Sequence, residues 1–165
     1  HGHVVAEIPA RLWWVALHSV IWDTGERIGA VLKLRWSDIS GDSVLIRAET
    51  RKGRTEDRVH RLHPTTVRTL AAIRRDANDL VFPWDRRYDV LWSHYASILK
   101  RAGLPSDRRH KFHAMRRTVA SFYEAAGGNA TELLGHSSRE VTRTHYLDPR
   151  VVGSEQQACD VLFRP

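Results

Sequence analysis

The chain has 165 residues, enough for one domain with a substantial core, and its 42% hydrophobic and 27% charged residues are ordinary for a globular protein. It contains no apolar run near the ~20 residues that span a bilayer, and no signal-peptide pattern opens it. A single cysteine, Cys159, excludes an internal disulfide and any cysteine-built zinc cage and fits a reducing setting such as the cytoplasm, while the net charge of +7 favours a polyanionic partner.

Residues 1–8, opening "HGHVV", read as an artificial edge or a linker. "PARLWWVALHSVIW", residues 9–22, places Leu12, Trp13, Ala16, Leu17, Val20 and Ile21 at helical spacing behind a proline suited to a first turn. "DTGE" breaks that helix, and "ERIGAVLKLRW" starts another, with Asp23 or Thr24 as its cap. "SDISGD" is turn chemistry. "SVLIRAET" and "DRVHRL" follow as two strands of a hairpin whose polar tip is "RKGRTE".

Further on, "HPTTVRTLAAIRR" is a helix with Pro64 in its first turn and Val67, Leu70, Ala71 and Ile73 on one side. "NDLVFPW" is an extended link, and residues 86–102 form a helix ended by Gly103 and Pro105. After the basic loop "SDRRHK" comes "FHAMRRTVASFYEAAGG", amphipathic through Phe112, Met115, Val119 and Phe122 and closed by a glycine pair. Asn129 caps "ATELLG", "SREVTRTHYL" supplies one more short helix, and "SEQQACDVLF" carries a weak helical pattern. The sum is a mainly helical α+β domain with a small antiparallel sheet.

Basic residues are unevenly chosen: 22 arginines stand against four lysines, Lys33, Lys52, Lys100 and Lys111. Arginine's planar fork suits bidentate phosphate binding, although an arginine-rich genome produces the same bias. Four islands combine such cations with groups capable of chemistry. They are Arg27 at a helix start, the hairpin tip with Lys52, "HAMRR" with His113 and Arg116, and "GHSS…HY" with His136 and Tyr146. His60, His63, His94 and His110 lack i, i+4 metal spacing, and "GHSSR" lacks the second glycine of a serine-hydrolase elbow. Taken singly, each island has a plain reading: Arg27 a surface residue, Lys52 a solvated tip, His136 a turn cap, Tyr146 a packing aromatic. The six tryptophans read as packing.

Together the pieces "DTGERIGAVLKLRWSDI", "RKGRTEDRVHRLHP", "LVFPW", "HAMRRTVASFYEAAGG" and "LLGHSSREVTRTHY" resemble, in order and near spacing, the catalytic domain of tyrosine recombinases, the phage integrase family, over about residues 9–149. The resemblance implies that fold, with residues 150–165 as a tail that docks on a neighbouring protomer and an N-terminal DNA-clamping domain missing from this chain. It assigns Arg27 to the first arginine, in T-G-x-R, and Lys52 to the hairpin lysine. His113 and Arg116 fill H-x-x-R, His136 the histidine of L-G-H-S, and Tyr146 the nucleophile. It further implies double-stranded DNA as partner, four protomers on two sites, and strand transfer through a 3′-phosphotyrosyl intermediate without metal, ATP or other cofactor.

The chemistry is consistent with those assignments. In-line attack on a phosphodiester needs a nucleophile, neutralisation of the transition-state charge and a proton for the leaving 5′-oxygen. Arg27 and Arg116 can grip the non-bridging oxygens, His136 can donate to them, Lys52 can act as general acid, and His113 can serve as base or orient the phosphate. A phenol with pKa near ~10 leaves more readily than an alkanol, so the reaction runs backwards as well as forwards. The chain departs from the family pattern in three places. Ala30 stands where an acidic residue usually follows three after the first arginine. His136 and Tyr146 are ten residues apart, where nine is commoner and would select His145. Arg51 competes with Lys52 for the lysine slot. Two other functions use the same residues: type IB topoisomerase-like nicking and resealing, or non-catalytic DNA binding.

Overall fold

In the computed structural model, which describes residues 4–51, 56–75 and 79–153, the chain forms two units, up to Arg116 and from Arg117. The first begins with a tight ribbon, β1 (Val4–Val5) against β2 (Ile8–Pro9), turned through Ala6 and Glu7, both at positive φ. Non-glycine residues are strained there, and the burial of Val5 and Ile8 holds the turn. Residues 4–8, read above as an edge or linker, therefore contribute to the core. Helix α1 (Ala10–Thr24) follows, with Trp13, Ala16, Leu17, Val20 and Ile21 buried as its spacing predicts. It stops at Gly25, whose φ of 63° is the left-handed closure glycine favours, and the Gly25 N–H donates to Ile21 O at 2.8 Å.

The next helix is much shorter than its sequence suggests. α2 spans only Ile28–Val31, capped by Arg27 rather than Asp23 or Thr24. The reason lies in residues 79–81: Val81 N donates to Leu34 O, and Trp36 N to Asp79 O, so the backbone of 34–36 is drawn into a bridge instead of a further turn. A three-stranded antiparallel sheet follows in the order β3 (Ile39–Ser40), β4 (Ser43–Ile46), β5 (Arg58–Arg61). Its first strand lies in the stretch read as a turn, and Ala48–Thr50 is a 3₁₀ turn rather than strand. Val44 and Ile46 alternate inward.

α3 (Pro64–Ile73) packs on α1 through Thr66, Leu70 and Ile73, with Ala71 exposed instead of inward. α4 (Tyr88–Arg101) buries Leu91, Tyr95 and Leu99. Aromatic rings tie these elements together. Trp14, Tyr95 and Phe112 form a mutually stacked trio with Tyr95 5.7 Å from Trp14 and 4.0 Å from Phe112, and Trp13 meets Phe82 edge-on at 5.9 Å. Trp22, 48% exposed, lies at the edge of this packing.

α5 (Phe112–Ala125) gives its first residues to the first unit and the rest to the second. There α6 (Ala130–Leu134), α7 (Arg139–Tyr146) and α8 (Pro149–Val152) surround a small apolar cluster of Ala120, Ala130, Leu134 and Tyr146. Phe122, expected on the apolar side of α5, is exposed. Such short helices are marginal alone, and side-chain caps compensate. Asn129, as expected, accepts from Glu132 N, Ser138 from Glu140 N, and Asp148 from Arg150 N. The paired Arg150 holds the Asp148 carboxyl down at about 2. The tail pattern in 154–165 lies outside the described residues, and no helix among the described residues is long and apolar enough to cross a membrane.

Candidate active site

In the first unit, cationic side chains converge on one carboxylate. Glu26, directly after the glycine that ends α1, is 3% exposed. Its Oε1 lies 3.2 Å from Arg51 Nε and 3.5 Å from His60 Nε2, and its Oε2 lies 3.9 Å from Arg116 Nη1. The same Arg116 Nη1 donates to the Gly25 carbonyl, at the negative end of α1. Arg51 Nη1 also donates to Glu56 O at 3.2 Å. Burial is the strongest influence on Glu26 and pushes its pKa up; the contact with His60 and the charges of Arg51 and Arg116 together outweigh it, holding the carboxyl below its ordinary value. One carboxylate against two buried guanidinium groups leaves a positive surplus, the condition for receiving an anion.

Arg27 follows Glu26 but behaves differently. Its backbone caps α2 and its side chain is exposed, with no carboxylate among the described residues paired to it. His113 and Arg116 lie one turn apart on α5, yet His113 is exposed while Arg116 is 2% exposed, because the arginine is drawn in by Gly25 and Glu26. Lys52 lies outside the described residues, whereas its rival Arg51 is committed to Glu26. A groove of about 570 Å³ in this unit, lined by His18, Trp22, Asp23, His63, Thr65 and Met115 among others, carries no arginine or lysine and does not suit a phosphate.

The second unit brings His136 and Tyr146 together. Their ring centroids are 4.4 Å apart with planes inclined at 55°. His136 follows Gly135, which closes α6 at φ 65°, and its Nδ1 lies 2.9 Å from the hydroxyl of buried Thr142. One turn of α7 separates Thr142 from Tyr146, so a single helix orients the imidazole and carries the phenol. Tyr146 is 9% exposed and belongs to the apolar cluster, while His145, the alternative at the commoner spacing, is exposed. The end of α7 is fastened by Ser121: its hydroxyl lies 3.2 Å from Tyr146 O and 3.0 Å from Arg117 O and accepts from Asp148 N at 2.8 Å.

Glu26, His60, Thr142 and Ser121 were not singled out by sequence. Glu26 had one signal: an acid beside Arg27 in a chain whose position 30 is alanine. Among the described residues no group of histidine, cysteine or carboxylate side chains could hold a metal.

The phage integrase family model matches residues 4–151. Among solved structures, XerA recombinase superposes with TM-score 0.68 at 21% identity over 87% of this chain and 55% of its own. XerH recombinase, in a pre-cleavage complex with its difH substrate, gives TM-score 0.63 at 23% identity over 86% and 44%. The catalytic domain of bacteriophage HP1 integrase gives 0.63 at 18% over 87% and 79%. The chain thus spans about half the length of the two Xer recombinases. No curated protein sequence matches it significantly.

Proposed function

Because the chain belongs to the phage integrase family and has the catalytic-domain fold of tyrosine recombinases, we propose that it cleaves and rejoins double-stranded DNA by site-specific transesterification. Tyr146 Oη attacks the scissile phosphorus, the bond from phosphorus to the 5′-oxygen breaks, and that oxygen takes a proton from Lys52. The products are a 3′-phosphotyrosyl linkage and a 5′-hydroxyl. Attack by a 5′-hydroxyl from another strand reverses the step and releases the phenol, so no external energy source enters.

Arg27 and Arg116 carry the charge on the non-bridging oxygens, Arg116 from a fixed buried seat and Arg27 from an exposed one. His136 donates to the same oxygens through Nε2, its ring oriented by the contact of Nδ1 with the Thr142 hydroxyl at 2.9 Å. His113 orients the phosphate or takes the phenolic proton. Four protomers assemble on two DNA sites, with residues 150–165 exchanged between neighbours.

The observation that carries this reading is the pairing of His136 with Tyr146 across the longer, ten-residue spacing. The test uses nicked suicide duplexes of randomised sequence, from which the departing fragment diffuses away. An adduct that survives denaturation and maps by mass spectrometry to Tyr146 is expected, and Tyr146→Phe removes it while duplex affinity changes less than about twofold. Salt-sensitive binding without an adduct would instead identify a non-catalytic DNA-binding module.

A further inference from the structure

We infer that Glu26, in the loop before α2, is a positioning residue of this active centre acting on Arg116, and that Arg51 and His60 form its support. The inference rests on the reading above. A carboxylate inside a protein is costly unless paired and hydrogen-bonded, so its partners reveal its task. Glu26 is 3% exposed, and charged or polar groups reach it from three elements. Arg51 comes from the end of the 3₁₀ turn after β4, His60 from β5, and Arg116 from α5. Position 30, one helical turn after Arg27, holds an alanine that is itself 3% exposed and offers no such group.

Two of these contacts bear on function. Arg116 Nη1 donates to the Gly25 carbonyl and lies 3.9 Å from Glu26 Oε2, so a hydrogen bond and an ion pair act on the same nitrogen. Arg51, whose Nε lies 3.2 Å from Glu26 Oε1, also donates from Nη1 to Glu56 O at 3.2 Å, so the same carboxylate holds a second buried guanidinium. One carboxylate thereby contacts both the arginine proposed to bind phosphate and Arg51. It touches neither DNA nor the reacting atoms and acts through Arg116 and Arg51.

The test compares the unmutated chain with Glu26→Gln and Glu26→Asp. Rates of adduct formation are measured at saturating suicide duplex, alongside duplex affinity and thermal unfolding. Glu26→Gln keeps the volume but not the charge and is expected to slow adduct formation on the order of 10²-fold, as a slightly misplaced group does, with affinity changed less than about threefold. Glu26→Asp is expected to recover a large part of that loss. A Gln variant that reacts at the unmutated rate overturns the inference. So does a loss that tracks thermal stability across both variants, because that pattern marks a purely structural residue.

If the unmutated chain forms no adduct, the recombinase reading fails, and side-chain NMR decides the positioning claim alone. Separate, slowly exchanging guanidinium signals for Arg51 and Arg116, averaged in Glu26→Gln, would uphold it. Unchanged signals would overturn it.

Discussion

The two units organise their candidate chemistry differently. The first sets a buried ionic cluster, Glu26 with Arg51, His60 and Arg116, inside a large core of α1, the sheet, α3 and α4. The second is built around a cluster of four buried apolar side chains, and Tyr146 is one of them. In the first unit the charged cluster stands beside a core that is already large. In the second, the proposed nucleophile is part of what the helices fold around, and polar fastenings at helix ends replace the missing core. Preorganised charge needs a stiff, dry surrounding, whereas a residue that becomes covalently attached to DNA can sit where less is at stake in its movement.

Several changes would break or sharpen that contrast. The largest effect is expected from Arg116→Ala, which leaves Glu26 with one charged partner fewer in a buried place and costs about 3–5 kcal/mol in urea unfolding. All six tryptophans lie before Arg117, so their fluorescence reports this loss in the first unit alone. Next, Leu134→Ala removes the largest aliphatic member of the second cluster at about 3 kcal/mol. Amide protection in α6 and α7 should fall while the tryptophan transition stays put; a shared shift would mean the units unfold as one body and the contrast fails. Ser121→Ala, which removes the hydroxyl that meets Tyr146 O and Asp148 N at the end of α7, is expected to cost about 1–2 kcal/mol and show as faster exchange at Asp148 N–H. Asn129→Ala costs about 1 kcal/mol through the start of α6.

The last test concerns sign rather than size. The Glu26 pKa is lowered in the folded state, so the stability it contributes is complete above the ordinary carboxyl pKa of ~4.3 and is lost as pH falls through the lower folded value. Acid titration of the tryptophan signal should therefore show a stability loss below that point, and Glu26→Gln should shrink it.

The distribution of what the sequence disclosed follows the same division. Helices α1 and α3 and the Asn129 cap were legible because spacing and capping are local. The shortness of α2 and the extra strand β3 were not, since both depend on pairing with distant backbone, at residues 79–81 and in β4. Motif order pointed to Arg116, His136 and Tyr146, and the structure adds that His136 faces Tyr146 rather than His145. Glu26 occupied an indifferent slot in its motif. Its burial arises only when Arg51, His60 and Arg116, far apart along the chain, reach it, and no periodicity carries that information.

Gly25 ends α1 and presents its carbonyl to Arg116. The stop signal of a helix and the seat of a charge are therefore the same peptide unit. A substitution that let the helix read through by a single residue would rotate that oxygen away and leave the guanidinium without its seat.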